Sequence, residues 1–158
     1  MYRTIFDLDG TVIDSAHRHA TLPDGSLDLA HWIENATPDK IAGDSLLPIA
    51  NYMKDIFPHH EVLVCTARVM SDADYDFLLD HGLNADAILS RPADNRLPDA
   101  YLKEMLLRDH ATRRGFTWVE FSKNTTIIDD NASVLAQLGA IGIRTVCAKA
   151  LNLALGDN

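Results

Sequence analysis

Apolar residues fall along this chain in five short, nearly continuous runs, separated by stretches where they recur every three or four positions. The runs are Arg3–Leu8, Val62–Ala67, Ala87–Ser90, Thr125–Asp129 and Arg144–Ala148. Each is too short for a helix and is bounded by turn-forming residues, so they predict strands. The patterns over Leu46–Phe57, Ser71–His81, Asp99–Gly115 and Ala132–Ala140 predict helices between them. Strands without a polar face, alternating with helices, describe a parallel sheet covered on both sides and joined by right-handed crossovers. The predicted fold is therefore α/β, a Rossmann-like, doubly wound sheet. Gly82, Gly115 and Gly139 read as left-handed stops after the last three helices, and Ser71 and Asp99 as N-caps. Pro48 is tolerated near the start of the first helix.

One stretch breaks the alternation. Residues 15–45 separate the first strand from the first core helix and contain a Pro23-Asp24-Gly25 turn signal and the short amphipathic string LDLAHWIENA. They predict a small cap inserted over the sheet edge, within a single domain spanning residues 1–158. No repeat or low-complexity tract is visible. Apolar residues make up 47% and charged residues 23%, the balance of a globular protein. No apolar window approaches the ~18 residues a membrane helix needs. The first residues lack a secretory pattern, so a cytoplasmic location is expected. Cys65 and Cys147 both lie in apolar runs and read as reduced core residues rather than a disulfide or zinc pair. The net charge of −9 disfavours broad contact with nucleic acid, yet suits a carboxylate cluster that a divalent cation neutralises.

In an open parallel sheet, ligands bind beyond the carboxyl ends of the strands. The first predicted strand ends there in Asp7-Leu8-Asp9-Gly10-Thr11, the second in Cys65-Thr66-Ala67-Arg68, and the fourth in Ile128-Asp129-Asp130-Asn131. Four carboxylates on one rim raise one another's pKa values unless something positive joins them. An all-oxygen set of this kind suits Mg²⁺. The plainer alternative is a set of unrelated acidic turns, with the Asp-Asp-Asn string serving only as helix-capping chemistry.

FDLDGT at 6–11, VLVCTAR at 62–68, a later lysine and IIDDN at 127–131 resemble, in order, the four motifs of the haloacid dehalogenase superfamily. The likeness spans about residues 2–148. It implies Asp7 as a nucleophile that becomes an aspartyl-phosphate, and Asp9 as general acid and base. Thr66 would bond a phosphoryl oxygen, and a lysine would balance the nucleophile. Asp7, Asp9, Asp129 and Asp130 would hold Mg²⁺. Asp9 also favours a phosphatase or phosphotransferase over the superfamily's dehalogenases, phosphonatases and transport ATPases. Two lysines compete for the third motif. Lys103 lies early in the helix after the third strand and is favoured, whereas Lys123 precedes the fourth strand at the far end of the sheet.

The stretch SRPADNRLPDAYLKEMLLRD at 90–109 is similar to the phosphatase domain of phage-type polynucleotide kinases, through Arg91, Asp94, Arg96, Asp99 and Lys103. Arg68 and the His17-Arg18 pair share that likeness. It implies a substrate side formed by Thr11, Arg18, Ala67, Arg68, Arg91 and Arg96, arginine being suited to bidentate phosphate contacts. The spacing from Arg96 to Lys103 is slightly longer than in that group. No Gly-x-x-x-x-Gly-Lys-Ser/Thr string occurs, so a phosphatase without a kinase half is expected. Arg91 and Arg96 can alternatively be ion-pair partners for Asp94 and Asp99. Trp32 either stacks on a base or anchors the insertion. Apart from His17, the seven histidines read as surface or capping residues.

The expected activity is that of a Mg²⁺-dependent phosphomonoesterase acting on nucleotides or 3′-phosphorylated nucleic-acid ends. Alternatives are a phosphatase of another metabolite, such as a sugar phosphate, and more remotely a receiver-like module phosphorylated on aspartate. Receivers, however, phosphorylate a middle strand and lack Asp-x-Asp-Gly-Thr. The expected partner is a phosphorylated small molecule or nucleic-acid end; no membrane is implied, and no protein partner can be read.

Overall fold

The structure is a computed structural model, which describes residues 1–156. Its strands are β1 (Arg3–Phe6), β2 (Ile13–Asp14), β3 (Ser45–Leu46), β4 (Glu61–Thr66), β5 (Ala87–Ser90), β6 (Thr125–Asp129) and β7 (Arg144–Cys147). Its helices are α1 (Leu29–Glu34), α2 (Pro38–Ala42), α3 (Ile49–Ile56), α4 (Asp72–Asp80), α5 (Asp99–Arg113), α6 (Trp118–Lys123), α7 (Ala132–Ala140) and α8 (Ala148–Gly156). Five strands form one parallel sheet in the order β5-β4-β1-β6-β7. The chain winds outward from β1 to β5, then crosses back to β6 and β7. The reversal falls at β1 and opens the switch-point crevice at its carboxyl end.

Side chains alternate across the strands and divide the core in two. Phe6, Val62, Val64 and Ile128 face α3, α4 and α8, meeting Ile49, Met53, Phe77 and Ala148. Ile5, Leu63, Cys65 and Ile127 face α5, α6 and α7, meeting Leu107, Phe121, Val134 and Leu138. Phe6 is level with Val64 and Ile128. Asp7, Cys65 and Asp129 therefore come one step later on three adjacent strands.

The doubly wound parallel sheet is the predicted one, with local differences. Gly139 lies inside α7, and Gly142 makes the left-handed turn at φ +104°. The α7 end is closed by Ile141 and Ile143 N–H groups on the Leu138 carbonyl, so the reversal comes three residues late. Gly82 and Gly115 do adopt positive φ. Pro98 takes the N-cap place of α5, and Asp99 is its first helical residue, turned to Arg91. Ser71 caps α4 as predicted, in a reciprocal box with Asp74. Cys147 is exposed, because β7 is an edge strand. The helices α6 and α8 have no counterpart in the hydrophobic pattern.

Residues 15–44 hang from an antiparallel stem in which Ile13 pairs with Leu46 and Asp14 with Ser45. They contain a 3-10 turn at Ala16–Arg18, the Gly25 turn at φ +86°, α1 and α2. Thr37 caps α2, with Pro38 in the first turn. Among the described residues, no helix is long and apolar enough to cross a membrane.

Candidate active site

Asp7 follows β1 directly, and its N–H donates to the Ile128 carbonyl of β6 (3.1 Å). The next turn is wound tightly around the Leu8 carbonyl, which accepts the N–H groups of Thr11, Val12 and Ile13. This brings the Thr11 hydroxyl back onto Asp7 Oδ2 (2.9 Å). Gly10 sits at φ +77° against Asp130, where a Cβ would lie 2.3 Å from Asp130 Oδ2. Both the backbone and the space require glycine. From the other side of the sheet, α5 sends the buried Lys103 Nζ to Asp7 Oδ1 (2.8 Å) and Asp129 Oδ2 (2.6 Å). Asp129 Oδ1 accepts the Asn131 N–H (2.9 Å), and Asn131 caps α7 through Ser133.

Oxygens of Asp7, Asp129 and Asp130 lie within 4.8 Å of one another. Burial and the charge of Asp7 push the Asp129 carboxyl up to about 6 and the Asp130 carboxyl up to about 7. Burial alone works against the Lys103 charge, but Asp7 and Asp129 outweigh it and hold the ammonium protonated. Three carboxylates thus face one lysine, leaving an excess of negative charge among oxygen donors only. That donor set fits Mg²⁺ in kind and in charge.

Asp9 belongs to a second, adjoining cluster. Its carboxylate accepts Arg68 Nε (2.7 Å) and Nη2 (2.6 Å) and the Ser15 hydroxyl (2.6 Å). Burial would raise its pKa, but Arg68, Ser15 and the charge of Arg18 outweigh burial and hold it below the ordinary aspartate value. Arg68 also donates to Asp74 Oδ1 (2.6 Å) and Asp44 Oδ2 (3.3 Å). The cap of α4 therefore also orients this arginine. Arg18 makes a bidentate pair with Asp44 (2.9 and 2.8 Å), which His17 joins at 2.8 Å. Trp32 lies over the Arg18 guanidinium, 4.3 Å from its ring centroid, with Arg68 at 5.7 Å. The indole is spent on anchoring α1 to these arginines.

The structure therefore divides the predicted residues. It gathers Asp7, Thr11, Lys103, Asp129 and Asp130 in one group, and Asp9, Arg18 and Arg68 in the next. The Asp9 carboxylate is outside the trio that can share a cation, because Arg68 and Ser15 hold it. Thr66 ends β4 and accepts the Arg68 N–H (3.0 Å), which leaves its own proton to donate. Arg68 spends its donors on three carboxylates. Arg91 is spent on its own loop: it donates to the Ala67, Asn95 and Leu97 carbonyls and to Asp99 (3.0 Å). This is the ion-pair alternative for Arg91. Arg96 and Asp94 are exposed and form no ion pair among the described residues. Lys123 is exposed beyond the far end of β6. Cys65 is buried beneath the site, where burial pushes its thiol up to about 12. Ser15, Asp44 and Asp74 complete the second cluster and were not singled out by the sequence.

A haloacid dehalogenase-like hydrolase from Streptococcus pneumoniae superposes with a TM-score of 0.65 at 13% identity, covering 93% of this chain and 84% of that one. A chain of the Pnkp1/Rnl/Hen1 complex superposes at 0.66 with 17% identity, over 94% of this chain and 45% of its own length. The fold is that of the haloacid dehalogenase-like hydrolases. Residues 1–156 match the model of the bacteriophage T5 5′-deoxynucleotidase family. The 5′-deoxynucleotidase of Escherichia phage T5 is 33% identical over 164 aligned positions, covering 94% of this chain and 67% of that protein. The chain belongs to this family, and it is a phosphatase.

Proposed function

We propose that this protein is a Mg²⁺-dependent phosphomonoesterase that removes the 5′-phosphate of deoxynucleoside monophosphates through a phosphorylated Asp7. The observation that carries the reading is the Asp7 carboxylate, buried at the switch point and held between Lys103 and Thr11 beside Asp129 and Asp130. The choice of substrate follows the activity of the phage T5 relative. A mononucleotide is accordingly preferred here to a 3′-phosphorylated nucleic-acid end, and its work lies in the cytoplasm with the nucleotide pool.

Asp7 attacks phosphorus, the P–O5′ bond breaks, and the leaving oxygen takes a proton from Asp9. Water then attacks the phosphorus of the aspartyl-phosphate while Asp9 accepts its proton, releasing phosphate and restoring Asp7. Arg68 and Ser15 keep Asp9 ionised in the resting enzyme, which is the form required for this second half. The negative charge of bound phosphate favours its protonation for the first. Lys103 retains a third N–H beyond those given to Asp7 and Asp129, and with the Thr66 hydroxyl it orients the phosphoryl oxygens. Mg²⁺ held by Asp7, Asp129 and Asp130 supplies charge neutralisation of the phosphoryl group. Residues 15–44 serve as a small cap over this rim, within one domain of the chain.

A phosphate-release panel with Mg²⁺ tests the reading. Deoxynucleoside 5′-monophosphates are expected to react faster than 3′-monophosphates, a 3′-phosphorylated oligonucleotide or sugar phosphates. Asp7→Asn is expected to show no turnover. A sugar phosphate at the top of the panel, or Mg²⁺-dependent turnover by Asp7→Asn, overturns it.

A further inference from the structure

Asn152 lies in the middle of α8, a helix whose other residues are apolar apart from Lys149. Its side chain is half-buried and bonds main-chain groups of two other segments. Oδ1 accepts the Ile49 N–H (2.9 Å), and Nδ2 donates to the Thr11 carbonyl (3.0 Å). These partners fix the orientation of the amide, because an N–H must meet its oxygen and a carbonyl its nitrogen. The first contact is a helix cap supplied from another element. Ile49 opens α3, and Pro48 before it has no side-chain oxygen to accept this N–H. A cap requires only an acceptor, which aspartate or serine would provide as well. The second contact uses the half of the amide that capping leaves idle. It reaches the turn after β1, where the Thr11 hydroxyl bonds Asp7 Oδ2.

We propose that Asn152 is a positioning residue, which fixes the Thr11 backbone from α8 so that the Thr11 hydroxyl holds the Asp7 carboxylate in line for attack. The inference rests on the reading that Asp7 is the nucleophile. Thr11 is fully buried, and its N–H already donates to the Leu8 carbonyl (3.1 Å). The Asn152 amide secures the other side of the residue, so both of its peptide groups are held. On Asp7, Lys103 takes Oδ1 and Thr11 takes Oδ2, and these two donors together set the rotation of the carboxylate. The attraction of Lys103 falls slowly with distance, whereas the hydroxyl bond is directional and weakens steeply when tilted. Asn152 also ties this turn to the start of α3, where the chain returns from the cap and the Leu47 N–H meets the Val12 carbonyl (2.9 Å). The helix α8 thereby serves the site without touching substrate.

Asn152→Asp and Asn152→Ala separate positioning from capping. Aspartate keeps an acceptor for Ile49 but has no donor for the Thr11 carbonyl, and alanine loses both. Asn152→Asp is therefore expected to melt closer to wild type than Asn152→Ala. Both are expected to lower kcat about tenfold with little change in KM, as a reacting group that is bound but misdirected does. A wild-type kcat in folded Asn152→Asp, or a loss seen in KM alone, overturns the proposal. Combination with Thr11→Val gives a second measure. In that background either Asn152 variant is expected to leave kcat where Thr11→Val put it, and multiplied losses in kcat overturn the proposal. Should one of the two Asn152 variants fail to fold, the other decides through this cycle. All variants are assayed on whichever ester wild-type enzyme prefers. Mg²⁺-dependent turnover by Asp7→Asn removes the nucleophile reading, yet leaves the coupling of Asn152 and Thr11 measurable.

Discussion

Single residues in this site carry separable duties. Asp9 is held by Arg68 and Ser15 rather than by the cluster around Lys103, so the role proposed for its carboxylate is proton transfer and not ligation. Asp9→Asn is expected to lower kcat on a nucleotide by about 10²- to 10⁴-fold, the usual worth of a positioned acid. On p-nitrophenyl phosphate, whose leaving group needs no proton, the phosphorylation step is expected to suffer far less. Pre-steady-state release of p-nitrophenol measures this, and equal losses on both substrates contradict the assignment. Gly10 is a second case. Alanine there meets a left-handed φ costing about 1–2 kcal/mol, and its Cβ displaces the Asp130 carboxylate. Gly10→Ala is therefore expected to raise the Mg²⁺ concentration needed for half-maximal activity by more than its melting temperature alone would suggest. A Mg²⁺ titration beside a thermal melt checks it.

At the scale of elements, the loop between β5 and α5 decides where Lys103 stands. Arg91 ties it to the Ala67, Asn95 and Leu97 carbonyls and to Asp99. Arg91→Ala is expected to lower the melting temperature and kcat with little change in KM. Arg96→Ala, removing an exposed side chain without an ion pair, is expected to leave melting unchanged and raise KM where the arginine meets the phosphate. Steady-state kinetics and calorimetry on the two variants distinguish a brace from a contact. The same loop shows what the sequence could convey. Asp7, Thr66, Asp129 and Asp130 were legible because each ends a strand or follows it by one residue, and parallel strands bring their ends together. Lys103 was legible from its place after the third strand. The targets of Arg91 were not, because backbone carbonyls look alike in any sequence. Asp44 and Ser15 sit in turns and join the site only when the stem closes, which no local period records. The helix α6 has a Thr117–Glu120 capping box, but six residues are too few to show a period. The helix α8 was hidden because its apolar residues continue the run of β7.

For the whole molecule, the paired carboxylates link stability to pH and metal. Asp129 and Asp130 titrate near 6 and 7, above the ordinary 3.8. Between pH 4 and 7 the native protein thus binds more protons at these groups than the unfolded chain does. Without metal, their contribution to stability is present below pH 4 and is lost as pH rises through this window. Mg²⁺ bound as proposed would take the deprotonated forms, so its stabilisation is expected to be small at pH 5 and largest above pH 7. Melting curves with and without Mg²⁺ at the two pH values measure it, and an equal metal increment at both contradicts the assigned ligands. The stem beneath the cap has a different consequence. Asp14 and Ser45 lie side by side, so the chain leaves the sheet and rejoins it at one point. The segment between them is a cassette: exchanging it for a tight turn or a larger fold alters no pairing among β1, β4 and β6. Ser15, Arg18, Trp32 and Asp44 would depart together, while Lys103 and its two aspartates stayed in place. A graft there would thus have to supply a new partner for Asp9 in place of Ser15 and for Arg68 in place of Asp44.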